Sequence, residues 1–372
     1  MEGKTRAQGS QELLDWLGLK LIPGVGSVTF ARLVEAFGSP GAALGAPLAA
    51  LEALPRLRPQ VARAVHRQAW ESDPQEQLER LDKLGGRLLI QSDPDYPPFL
   101  AGIHAPPPLL YLLGDLAPCH EGGVAVVGSR AMSPYGRRLA AELGRDVARH
   151  GVSLVSGLAR GVDAVAHAGA LEAGGHSVGV LGCGLDVVYP RENRELIARM
   201  AAQGAVVSEF PLGAQPVAAN FPVRNRVISG LSRAVVVVEA GLKSGSLITA
   251  RHALEQGREV FAVPGPVGSA TSAGSNQLIK EGARLLTSSR DLFEPGALPP
   301  GPGPGAPRPM EPGELSPAEA ELLELVGPEP QHIDQIGRAS GLAPGELATL
   351  LLNLVLAERV VELPGKLYVL NL

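Results

Sequence analysis

The chain runs to 372 residues, 45% of them hydrophobic and 19% charged, with a formal net charge of −5. That length predicts two or three domains, and the composition leaves material for a large core. The start, Met1-Glu2-Gly3-Lys4-Thr5-Arg6, opens no signal-peptide run, no stretch is long enough to span a bilayer, and Cys119 and Cys183 are not spaced as metal ligands; the expectation is a cytoplasmic protein with no membrane partner, disulfide framework or metal site.

Residues 1–80 read as a helical domain of the SAM or helix-hairpin-helix type. Ile22-Pro23-Gly24-Val25-Gly26 separates two apolar-periodic stretches, the second continuing through Thr29–Val34. Turn amides in such a hairpin can meet a DNA backbone, and a plain helix connection capped by glycine explains the turn equally well. Residues 1–119 carry 11 basic and 13 acidic side chains, which favours a structural or protein-contact role.

Residues 81–294 are expected to form an extended, Rossmann-like α/β domain. After a strand at Gly86–Ile90 and proline-marked loops, a βα rhythm begins at Val124-Ala125-Val126-Val127. Ser133-Pro134 opens a helix to about Arg149, with proline at its favoured first position. Strands follow at Ser153–Gly157, Ser177–Gly182, Ala205–Glu209, Ala234–Glu239 and Glu259–Val263, separated by helices. This alternation predicts a doubly wound, mostly parallel sheet whose ligands sit beyond the carboxyl ends of its strands. Arg130, Arg160 and Lys243 all follow strand ends, so one crevice can hold all three. Residues 120–292 carry 18 basic and 14 acidic side chains, so a polyanion would bind here.

Residues 295–315, with Pro299-Pro300-Gly301-Pro302-Gly303-Pro304-Gly305, read as a Pro/Gly linker. Residues 316–372 read as a winged-helix domain: a helix capped by Ser316-Pro317, two more near Ile333–Ile336 and Glu346–Leu351, and a hairpin turning at Pro364-Gly365. With 4 basic and 11 acidic side chains in residues 293–372, this domain points to a protein partner rather than to DNA.

The chemistry concentrates in three places. The turn Lys243-Ser244-Gly245-Ser246 offers backbone N–H groups, hydroxyls and a cation at a helix start, the means of holding a phosphate; a capped βα turn without ligand is the plainer reading. Phe221, in a chain only 4% aromatic, precedes Arg224-Asn225-Arg226; it either stacks a base while cations hold phosphates or anchors a core. Arg224 and Arg226 are also candidates to pair with Glu209 or Glu239. Gly128-Ser129-Arg130 ends the first strand with an arginine where close dinucleotide approach wants glycine, and no Gly-x-x-x-x-Gly-Lys-Ser/Thr is present.

Ser156-Gly157-Leu158-Ala159-Arg160-Gly161-Val162-Asp163 with Ala166-His167 resembles the DprA (DNA processing protein A, Smf) family. So do Gly182-Cys183-Gly184-Leu185-Asp186 with Tyr189-Pro190, Phe221-Pro222-x-Arg224-Asn225-Arg226, Ser244–Ala250 and Phe261-Ala262-Val263-Pro264-Gly265. The likeness covers about residues 85–290. It implies a non-catalytic, cofactor-free homodimer that binds incoming single-stranded DNA in natural transformation, protects it and loads the RecA recombinase. The expected single-strand contacts are Gly128, Ser129, Arg130, Arg160, Phe221, Arg224, Asn225, Arg226, Lys243, Ser244, Gly245 and Ser246. Val217-Ala218-Ala219-Asn220 departs from the aromatic or basic residues common there in the family, which bears on affinity. The rival expectation is a nucleotide-hydrolysing enzyme of the lysine decarboxylase-like (phosphoribohydrolase) type. There Glu239 would be catalytic and Arg130 or Arg224 would hold a phosphate, although Ser244-Gly245-Ser246 stands where that family has Pro-Gly-Gly-x-Gly-Thr.

Overall fold

The computed structural model describes residues 2–298 and 321–370, except 324, 328–329, 343, 357–358 and 364. The chain divides into two compact units, Met1–Gly303 and Pro304–Leu372.

In the first unit nine strands among the described residues form one sheet: β1 Arg87–Ile90, β2 Leu109–Gly114, β3 Gly123–Val127, β4 Leu154–Ser156, β5 Ser177–Leu181, β6 Ala205–Ser208, β7 Ser232–Val237, β8 Glu259–Ala262 and β9 Arg284–Leu285. Their spatial order is β1-β2-β6-β5-β4-β3-β7-β8-β9. The strands from β3 to β9 run parallel, whereas β1 and β2 form an antiparallel edge, β2 pairing with β6. The chain works outward from β3 to β6 and then returns to lay β7 on the free side of β3. That reversal between β3 and β7 is the topological switch point, where a sheet of this kind opens a crevice.

Alternation along the central strands divides two cores. Val124, Val126, Ala234 and Val236 face the helices Pro134–Arg149 and Val162–Glu172, whereas Ala125, Val127, Val235 and Val237 face Asn220–Gly230 and Ser246–Glu255. Strands covered on both sides carry apolar residues at every position, hence the unbroken valine run. The N-terminal helices do not stand apart from the sheet. Trp16, Leu17, Phe30 and Leu33 share a buried cluster with Leu88, Ile90, Leu109 and Tyr111 of the antiparallel edge.

The expected linker at 295–315 begins too early. Ala297 is fully buried, and its carbonyl accepts a hydrogen bond from Arg284 Nη1 at 3.1 Å, because a side chain this small fits beside Leu286 and Leu292. Residues 299–315, and the expected cap at Ser316-Pro317, lie outside the described residues.

The second unit is a winged-helix domain. Helices Ile333–Ser340 and Pro344–Leu356 pack with β10 Gln331–His332, β11 Val360–Leu363 and β12 Leu367–Leu370, in the order β10-β12-β11. Its own core contains Leu322, Val326, Ile336, Leu351, Leu354 and Tyr368. Among the described residues no helix is long and apolar enough to cross a membrane.

Candidate nucleic-acid interface

The turn after β3 carries Gly128-Ser129-Arg130. Ser129 Oγ accepts from Ala131 N at 3.1 Å, and Ser129 O from Val162 N at 3.2 Å, so the turn is tied to the helix that follows β4. Gly161 makes this approach possible: its φ is +80°, and a Cβ there would lie 2.2 Å from Ser129 O and 2.8 Å from Arg130 Cα. Any other residue would push the arginine turn away.

The helix Asn220–Gly230 supplies the second wall. Phe221, in its first turn, is half-buried. The Arg130 guanidinium lies 5.4 Å from its ring centroid and that of Arg224 5.8 Å, within cation–π range, with Tyr189 tilted against it at 5.7 Å. Arg224 is only 5% exposed. It donates from Nη1 to Gly157 O at 2.7 Å and to Val180 O, and from Nε to Asn225 Oδ1 at 3.2 Å. Burial pulls its guanidinium down to about 10, the nearby Asp163 carboxylate opposing that, so it stays charged at neutral pH. Asp163 accepts from Gly157 N at 3.1 Å and Ala159 N at 3.3 Å. Burial raises its carboxyl, against the pull of Arg224 and those N–H bonds.

The turn after β7 completes the site. Lys243 is exposed, the hydroxyls of Ser244 and Ser246 are hydrogen-bonded at 2.7 Å, and Asn225 Nδ2 donates to Gly245 O at 3.2 Å. Asn225 therefore locks the second wall to the third.

Together these elements enclose a cavity of about 640 Å³ at the switch point. Gly128, Ser129, Arg130, Phe221, Arg224, Asn225 and the Lys243–Ser246 turn all line it. Its charged lining residues are three cations, Arg130, Arg224 and Lys243, against the single carboxylate of Asp163. Positive charge is carried by donors that suit phosphate oxygens, beside an aromatic face that suits a base. Among the described residues no cluster of side chains is arranged to hold a metal ion.

Two expected members stand elsewhere. Arg160 is exposed outside the cavity and pairs with Glu192. Arg226, one helical step beyond the wall residues, pairs with Glu209 and donates to Ala105 O at 2.6 Å. Glu209 also takes Lys20 Nζ at 3.2 Å and Ser27 Oγ at 3.0 Å. Burial alone would raise the Glu209 carboxyl, but Lys20 and Arg226 outweigh it and hold the group below its usual range.

Glu239 does not line the cavity either. Its carboxylate accepts from Ser133 N at 2.8 Å and from Ser133 Oγ, capping the helix Pro134–Arg149. Sequence reasoning gave Asp163, Thr249 and Thr271 no place in the cavity that all three line. The Tyr189-Pro190 motif was visible, but not that its ring meets Phe221.

The comparisons agree with this architecture. The pattern of the family described as DNA recombination-mediator protein A matches residues 87–295, the DprA winged helix domain matches 306–366, and the DprA-like N-terminal HHH domain matches 10–79. Protein Smf of Escherichia coli is 46% identical over 283 residues, covering 74% of this chain and 76% of its own length. DNA processing protein DprA of Bacillus subtilis is 43% identical over 204 residues, covering 55% and 69%. The X-ray structure of DprA from Streptococcus pneumoniae superposes with a TM-score of 0.67 at 34% identity, over 75% of this chain and 96% of that one. DprA from Helicobacter pylori, whose structure is described as showing a unique single-stranded DNA binding mode, gives 0.51 at 30% identity, over 56% and 94%. The chain belongs to the DprA family of DNA processing proteins, with a helix-hairpin-helix segment, a Rossmann-like sheet and a winged-helix domain.

Proposed function

We propose that this chain binds single-stranded DNA in the cleft at the switch point, without catalysing a reaction on it. The observation that carries the reading is the pairing of Phe221 with three cations in one cavity. Stacking accepts any base and the cations accept any phosphate, so binding is sequence-tolerant. The single-strand description of the Helicobacter pylori relative supports the same ligand. The enzymatic alternative needs Glu239 free to act, and both its oxygens are committed to Ser133.

From the family likeness the proposal extends to a cytoplasmic homodimer of natural transformation that shields the incoming strand and loads RecA onto it, with the acidic winged-helix domain contacting protein. Contacts at Gly128, Ser129, Arg130, Phe221, Arg224, Asn225 and Lys243–Ser246 belong to this proposal. Fluorescence anisotropy with labelled poly-dT and a matched duplex, titrated over salt, tests it. The expected outcome is preference for the single strand, fading as salt rises. Equal binding to both, or to neither, would refute it.

A further inference from the structure

A second cavity, of about 460 Å³, adjoins the cleft and shares Thr271 with it. One side is formed by Pro264-Gly265-Pro266 just beyond β8, and Tyr135 stands in the first turn of the helix Pro134–Arg149. Tyr135 is 42% exposed in a chain with few aromatic residues, and the Arg138 guanidinium lies 5.8 Å from its ring centroid. A ring left open to water beside prolines has apolar area to bury and a cation already near its face. The one charged residue that lines this cavity is Glu239. Its negative charge repels a phosphate, and with both oxygens holding Ser133 the open ring and the prolines are the surfaces left for a base.

The geometry points to this cavity as a second base subsite, in which a nucleotide adjacent to the one held at Phe221 lays its base against Tyr135 and the Pro264–Pro266 wall. The strand then crosses the cleft by way of Thr271, phosphates toward Arg130 and Lys243, bases toward the two rings. Continuity through Thr271 and the opposite charge of the two compartments select a base rather than a phosphate. The inference rests on the reading of the cleft as a single-strand site.

The experiment uses the full chain and oligo-dT carrying 5-iododeoxyuridine at one position at a time, crosslinked by light and mapped by mass spectrometry. An adduct on Tyr135 is expected from a position neighbouring the one that marks Phe221. Tyr135→Ala should weaken single-strand binding about 5- to 100-fold. Its salt slope should match that of the parent, because no phosphate contact is lost. Tyr135→Phe should bind as the parent does. Tyr135 is exposed, so an unchanged thermal midpoint verifies the fold of each variant. If Arg130→Ala weakens binding while Tyr135→Ala does not, and no adduct forms on Tyr135, the subsite is refuted and the cleft reading stands. If the parent binds no single strand, both fall together.

Discussion

Arg130 and Lys243 are exposed, line the cavity and have no ion-pair partner among the described residues. Arg224, by contrast, is buried and already bonded to two carbonyls. Each of the first two can therefore meet a phosphate and release its counterion, and on a single strand each released ion contributes about 0.7 to the slope of log affinity against log salt. Arg130→Ala and Lys243→Ala should each lower that slope by about 0.7, and the double variant by about 1.4. Between about 50 and 200 mM salt the double variant should lose about 7-fold less affinity than the parent does. Anisotropy titrations at four or five salt concentrations read the slope directly. Phe221→Ala supplies the contrast: a loss of about 1–3 kcal/mol at every salt concentration, with the slope unchanged. Slopes equal to the parent in both arginine and lysine variants would remove these residues from the phosphate path. A Phe221 variant with a lowered melting temperature and intact binding would make the ring a core anchor instead.

Glu209→Gln leaves Lys20 and Arg226 without their carboxylate in a largely buried site, and should lower stability at pH 7 by about 3 kcal/mol in urea unfolding. The Glu209 carboxyl is held below its unfolded value, so its contribution is present above about pH 4.3 and is lost as pH falls through the lower, folded pKa. The Gln variant should lack that acid-dependent component, and a parent and variant with parallel pH profiles would refute the assignment. Gly161→Ala meets both a positive φ and a Cβ 2.2 Å from Ser129 O. It should displace the Arg130 turn, weakening single-strand binding to at least the level of Arg130→Ala while costing about 1–3 kcal/mol of stability; binding equal to the parent would count against the role given to this turn.

Where apolar periodicity governs an element, the sequence was enough. Ser133-Pro134 marks the start of a helix that runs Pro134–Arg149, and the valine run marks a strand covered on both faces. The helix Asn220–Gly230 was not legible, because the face it buries includes Arg224, Asn225, Ser229 and Gly230. A polar face turned inward defeats a reading built on apolar spacing. Strand β2 hid behind Pro106-Pro107-Pro108, which reads as loop although Leu109–Gly114 pairs on both edges. For the site, strand-end placement set Arg130 and Lys243 at one crevice, and both line the same cavity. The same argument misplaced Arg160, since following a strand says nothing of which side of the loop a side chain leaves. Arg226 was open to either a phosphate or Glu209. Its partner set includes Ser27, which shares Glu209 with Lys20, and neither Ser27 nor Lys20 lies near Arg226 in sequence.

That four-residue junction gives the N-terminal segment a role in the cleft to which it contributes no wall. Lys20 and Ser27 flank the hairpin turn, Glu209 directly follows β6, and Arg226 sits on the helix that also carries Phe221 and Arg224. Three stretches distant along the chain are thus riveted through one carboxylate. Shortening or fusing the first thirty residues is accordingly an alteration of the binding helix's foundation, and a lesion at position 20 or 27 belongs genetically with those of the cleft rather than with those of a dispensable arm.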